Sequence, residues 1–140
     1  MYWGIWPGSW IYLRGSQRSR LLLRCKDEVL VVKGWLGIGR WVLPGGGLRK
    51  NEDPLVGLLR EVWEETGIRL EASQVRLLAA EAYSIHGFRY TSHYYTAEVA
   101  TKPPATRRRY EIVEIGWSKK SDILAKTHNP DVLRALELSA

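Results

Sequence analysis

Between Pro44 and Gly67 a block of glycines runs into a helix whose two ends are both marked. Three consecutive glycines, Gly45-Gly46-Gly47, forbid regular structure and let backbone approach a ligand closely. Asp53 can cap the free N–H groups of a helix start, Pro54 stands at the first helical position where its missing donor costs nothing, and Gly67 supplies the stop. The spacing therefore predicts a helix over Asp53 to Thr66. On it Leu55, Leu58, Leu59 and Val62 form one apolar arc, while Glu61, Glu64 and Glu65, at i, i+3 and i+4, share a different face at about 100° per residue. Three carboxylates this close repel one another unless a cation neutralises them. Oxygen ligands of this hardness select Mg²⁺, with Mn²⁺ as substitute, over a thiolate-seeking metal.

The same segment, Gly46 to Ile68, resembles the signature of the Nudix hydrolase (MutT-like) family, G-x5-E-x7-R-E-U-x-E-E-x-G-U with U aliphatic. Gly46, Glu52, Arg60, Glu61, Val62, Glu64, Glu65, Gly67 and Ile68 fill its nine specified positions. Trp41-Val42-Leu43-Pro44-Gly45 also looks like the usual lead-in. The resemblance implies an α/β/α sandwich with a loop–helix–loop platform. There Glu61, Glu64 and Glu65 bind metal, the Gly46 carbonyl adds a ligand, and an Arg60–Glu52 ion pair orients the carboxylates, as groups behind a metal's ligands do. It further implies hydrolysis of the diphosphate linkage in a nucleoside di- or triphosphate derivative. The metal neutralises charge and activates water, and a carboxylate accepts the proton. Glu61 or Glu65 can be that base, and Glu111 and Glu114 are candidates from outside the signature. Two positions depart from common usage: many members carry Glu where this chain has Arg49 and Gly where it has Asn51. Arg49 with Lys50 could touch phosphate or alter the number of metal ions.

Elsewhere the chain reads mostly as strands. Leu21 to Leu23 and Val29 to Val32, parted by polar Arg24 to Glu28, predict a hairpin or neighbouring strands. Val75 to Ala80, Ala82 to Ile85, Tyr90 to Val99 and Ile112 to Trp117 predict further strands. Lys102 to Arg109 reads as a basic loop, and Ser121 to Ala125 and Pro130 to Leu138 as closing helices, with Thr127 or Asn129 as cap. Strands, a glycine loop, one helix, more strands and then helices fit an α+β fold with a mixed sheet held between helices. A chain of 140 residues, 45% hydrophobic, suffices for one domain with one core. For the substrate's variable group the aromatic and basic residues Trp35, Arg40, Tyr83, His86, Arg89 and Tyr90 are candidates, since rings stack on bases and guanidinium grips phosphate.

The single cysteine, Cys25, excludes an intramolecular disulfide, and a cytoplasmic home is expected. A net charge of +6 with pI near 9.6 favours phosphate-bearing partners. No apolar run of about 18 residues predicts a membrane span. Met1 to Arg14, with Trp3, Trp6 and Trp10, lacks the basic start of a signal peptide and reads as an irregular arm packed on the domain. Contact with a membrane surface or a second copy, giving a homodimer, is its other reading, since Trp suits half-wet interfaces. ADP-ribose, dinucleoside polyphosphates and the 5′ end of RNA are open alternatives as substrate. From a different class, a catalytically idle module would use Arg107 to Arg109 to dock RNA or a protein.

Overall fold

A computed structural model describes residues 16–34, 40–108, 112–125 and 130–140. The Trp-rich stretch Met1 to Arg14, the site candidates Trp35 and Glu111, Arg109 of the basic loop and the cap candidates Thr127 and Asn129 lie outside the described residues. The elements run β1 (Ser16–Cys25), β2 (Glu28–Gly34), β3 (Gly45–Gly47), α1 (Pro54–Thr66), a 3₁₀ turn (Ala72–Gln74), β4 (Arg76–Ile85), β5 (Phe88–Glu98), β6 (Ile112–Lys119), α2 (Lys120–Ala125) and α3 (Pro130–Ser139).

Leu21, Leu22 and Leu23 of β1 are all fully buried. Successive strand side chains point to opposite faces, so a strand buried along such a run must have cover on both. Leu22 packs with Val29, Val31, Tyr94, Ile123, Val132 and Leu136, on the side of α2 and α3. Leu21 and Leu23 pack with Leu30, Leu58, Val62, Ile68 and Tyr95, on the side of α1. Each buried leucine contributes roughly 1.5–3 kcal/mol, a large share of a net stability of about 5–15 kcal/mol. The layers are therefore helix, mixed sheet and helices, the α+β arrangement expected. Among the described residues no helix is long and apolar enough to cross a membrane.

The sheet order is β4-β5-β1-β2-β6, with β3 also on β1. β1 and β5 pair in parallel from Ser16↔Tyr90 to Arg24↔Glu98, while the β1–β2, β2–β6 and β4–β5 pairings are antiparallel. β2 leaves β1 after Arg24↔Val29 and Cys25↔Glu28 and continues along β6. This divergence frees the edge of β1 at Arg18–Arg20, and β3 fills it. The connection enters the gap by Val32–Val42 backbone bonds of 2.8 Å and by the Leu21 N–H donating to the Pro44 carbonyl at 2.9 Å.

Two sequence expectations change here. The three glycines form a short strand rather than irregular chain, because pairing uses only backbone groups and β1 offers an unfilled edge at that point. At Gly45, with φ +132°, a side chain would collide with the Ser19 carbonyl, so glycine is what permits the pairing. The strands expected at Val75 to Ala80 and Ala82 to Ile85 are one strand, Arg76–Ile85, with an irregularity between Leu77 and Ala79. Glu81 does not break it, because Arg134 of α3 pairs with its carboxylate.

Candidate active site

Helix α1 begins as its sequence implies, with the Asp53 carboxylate accepting from the N–H groups of Leu55 and Val56 at 3.0 and 3.1 Å. It ends where Gly67, at φ 74°, donates to the Trp63 carbonyl. Leu58 and Val62 anchor it on the sheet, which turns the carboxylate face toward β3.

On that face Arg60 is the hub. Its guanidinium grips Glu52 through two bonds, Nε to Oε2 at 2.8 Å and Nη2 to Oε1 at 2.9 Å. Its remaining nitrogen, Nη1, donates to Glu61 Oε1 at 3.1 Å and to Glu64 Oε2 at 3.1 Å. Glu52 also accepts from the Arg49 N–H at 2.9 Å. The hydrogen bonds from Arg60 chiefly hold the Glu52 carboxyl down to about 2, and Glu52 in turn raises the pKa of Arg60. Glu65 faces the strand, its Oε1 accepting the Gly45 N–H at 2.9 Å. Glu61 and Glu65 are 6% and 7% exposed.

The structure thus brings Glu52, Arg60, Glu61, Glu64, Glu65 and Gly46 together. A Cβ at position 46 would come within 3.0 Å of the Glu61 carboxylate, so glycine leaves the space beside that group open. Among the described residues no three acidic, His or Cys side chains already form a metal cage. Instead Arg60 Nη1 occupies the point where Glu61 and Glu64 converge. The surrounding donors are all oxygen and already gather round one cation, so their chemistry fits a hard divalent ion. Asn51 adopts φ 59°, the left-handed region where many family members place Gly. Asn tolerates it better than most residues, so this departure leaves the loop geometry intact.

The other candidates separate. The Arg49 side chain is exposed, and its contact with Glu52 is through backbone. Glu114, on β6, is exposed and pairs with Lys33 at 4.0 Å. Arg40, His86 and Arg89 are exposed, His86 in the β4–β5 turn at φ 50°. Of the basic loop, Arg108 lies 4.3 Å over the Trp63 ring and its N–H donates to the Glu65 carbonyl, so this part is docked on the end of α1.

Tyr83 and Tyr90 do meet, stacked at 5.1 Å, in a cleft of about 620 Å³ lined by Glu81, Ala82, Tyr94, Pro130, Asp131 and Arg134 as well. Its volume lies within the range of small-molecule sites. The Tyr94 hydroxyl donates to Asp131 at 2.9 Å, the Tyr83 hydroxyl donates to Glu81 at 2.8 Å, and the two hydroxyls lie 3.1 Å apart. Burial pushes the Tyr94 hydroxyl far above the ordinary phenol range. Arg134 holds Glu81 by bonds of 2.8 and 2.6 Å and, as the largest cause, lowers its pKa from 4.5 to about 2. Sequence reasoning missed Glu81, Tyr94, Asp131 and Arg134. No local spacing signals a pair such as Glu81–Arg134, whose partners come from β4 and α3.

Glu52 and Glu81 are both ionised more readily in the fold than in the unfolded chain. Their stabilisation is complete above the ordinary value of 4.5 and is lost as pH falls toward about 2. Thermal denaturation over that window is expected to show a falling melting temperature, with a shallower fall in Glu81→Gln. An equally steep fall in that variant would place the acid sensitivity elsewhere.

The profile of the NUDIX domain matches residues 14–138. A MutT-like protein of Streptomyces ambofaciens is 57% identical over 37 residues, 26% of this chain and 24% of that protein. An RNA pyrophosphohydrolase of Roseobacter denitrificans is 47% identical over 38 residues, 27% of this chain and 24% of its own length. These matches span about a quarter of the relatives' length. The crystal structure of a MutT NUDIX hydrolase from Burkholderia pseudomallei superposes with TM-score 0.75 at 22% identity, covering 90% of this chain and 98% of that one. The NUDIX domain of Shewanella oneidensis NrtR, complexed with ADP ribose, gives 0.76 at 18% identity, covering 89% and 86%. With residues 14–138 of the 140 matched and Glu61, Glu64 and Glu65 of the signature gathered on one helix, the chain belongs to the NUDIX domain family.

Proposed function

We propose that the chain hydrolyses the diphosphate linkage of a nucleoside di- or triphosphate derivative, using Mg²⁺ with Mn²⁺ as substitute. The observation that carries this reading is the carboxylate cluster of α1, held by Arg60 beside a glycine strand with open space at Gly46. A bound divalent ion would neutralise the diphosphate and lower the pKa of attacking water. Glu61, Glu64 and Glu65 would hold it, with the Gly46 carbonyl as a further ligand.

The chain's own residues do the rest. Glu52 holds Arg60 by two bonds, and Arg60 holds Glu61 and Glu64, so the carboxylates are ordered before substrate arrives. Burial of Glu61 and Glu65 keeps bulk water off two of them, which strengthens their interaction with a cation. One of these two accepts the proton of the attacking water. In the cleft, Tyr83 and Tyr90 stack on the substrate's aromatic group, while Asp131 and Arg134 present polar atoms to its edge.

The test is a panel of nucleoside di- and triphosphates, ADP-ribose, dinucleoside polyphosphates and 5′-triphosphorylated RNA, each with Mg²⁺, Mn²⁺ or chelator. Coupled phosphatases distinguish phosphate, pyrophosphate and mononucleotide products. Turnover of one class with metal and none with chelator is expected. Turnover unchanged by chelator would overturn the metal reading, and metal-dependent turnover of RNA ends alone would move the substrate class.

A further inference from the structure

Arg20 lies on β1 with its side chain only 18% exposed. Alternation with Leu21 and Leu23 places it on the α3 side of the sheet, with Leu22 and Tyr94. Its Nη1 donates to the Leu43 carbonyl at 3.2 Å and the Gly45 carbonyl at 3.1 Å. Those two carbonyls flank the Pro44–Gly45 peptide. That peptide is also held at both of its own polar atoms: the Pro44 carbonyl accepts from Leu21 N–H, and the Gly45 N–H donates to Glu65. At its other end Arg20 Nε sits 3.6 Å from Asp131 Oδ2, and it is buried without a hydrogen bond. The contacts Asp131, Arg20, Gly45 and Glu65 therefore cross the sheet from the tyrosine-lined cleft to the carboxylate helix.

We propose that Arg20 is a positioning residue that couples occupancy of the cleft to the orientation of Glu65. The inference rests on the functional reading above, in which the cleft takes the organic group and α1 takes the cation. A guanidinium is a planar fork with fixed donor directions. A ligand atom that engages Asp131, or that accepts from Nε, rebalances the grip on the two carbonyls. A buried Nε that approaches Asp131 but makes no hydrogen bond is costly, so the free state retains a drive toward an acceptor. The Pro44–Gly45 peptide lies between those two carbonyls, so a change in the grip on them is carried to the Gly45 N–H that bonds Glu65.

The test uses ¹⁵N-labelled full chain and follows two readouts, the Gly45 amide resonance and the affinity for Mn²⁺ alone. Arg20→Lys keeps the charge but not the fork. Asp131→Asn removes the charge beside Nε, and Glu28→Gln breaks an ion pair with Lys102 outside both the cleft and α1. Arg20→Lys is expected to shift the Gly45 amide resonance upfield, as its bond to Glu65 weakens, and to lower Mn²⁺ affinity about tenfold, in the range for partners behind metal ligands. Asp131→Asn is expected to move both in the same direction by less, and Glu28→Gln to move neither. A merely structural Arg20 would lower the melting temperature and leave Mn²⁺ affinity unchanged. If Arg20→Lys does not fold, an unmoved Gly45 resonance in Asp131→Asn overturns the coupling. Failure of the unaltered chain to bind Mn²⁺ overturns the metal reading itself, and with it the coupling.

Discussion

Glu64→Gln/Glu65→Gln is expected to fold like the parent and to lose nearly all metal-dependent turnover. Folding should survive because Gln keeps an oxygen that can accept the Gly45 N–H now bound by Glu65, and because Glu64 is one of three carboxylates around Arg60 rather than its main anchor. Activity should not survive. A neutral amide leaves Glu61 as the one charged side chain of the three on that face, and a hard cation held through carboxylates loses most of its attraction. The loss should exceed the roughly 10–100-fold typical of partners behind the ligands. The measurement is kcat at saturating Mg²⁺ beside far-ultraviolet circular dichroism. A double variant with near-parental turnover would remove the carboxylate platform from the mechanism.

Arg60→Ala should act differently. Removing the guanidinium takes the double hydrogen bond from Glu52 and the shared donor from Glu61 and Glu64. Glu52 then loses the partner that holds its pKa at about 2, and part of the acid-sensitive stabilisation should disappear with it. Carboxylates left to repel one another splay, so kcat should fall by about 10–100-fold while KM changes little. Higher Mg²⁺ should recover part of the loss, because the metal can supply the missing positive charge. A variant in which only KM rises would assign Arg60 to substrate contact.

The two sides of the molecule differ in how far local sequence could predict them. Asp53, Pro54 and Gly67 mark α1 within a residue of its observed span, and the i, i+3, i+4 spacing places Glu61, Glu64 and Glu65 near one another. Leu21 to Leu23 and Val29 to Val32 likewise lie in the paired strands β1 and β2. These features depend on capping, helical period and strand alternation, each acting over a few residues. The resemblance to the Nudix signature added the Arg60–Glu52 pair, eight positions apart, and the structure makes it a double hydrogen bond.

What tertiary structure alone decided lies at longer range. The glycines became β3 because β2 diverges from β1 and leaves an edge open, a property of the sheet and not of the glycines. The tyrosine-lined cleft joins Tyr83 and Tyr90 on a hairpin to Asp131 and Arg134 on the last helix. Arg20, unremarkable in sequence, reaches Asp131 as well as the Gly45 carbonyl of β3 because parallel pairing sets β1 beside β5, whose Tyr94 bonds that Asp131. By itself the sequence determined the carboxylate helix, since a helix period and its caps are local. The cleft and its connection to that helix depend on contacts between residues far apart in the chain, which form only when the sheet closes around its core.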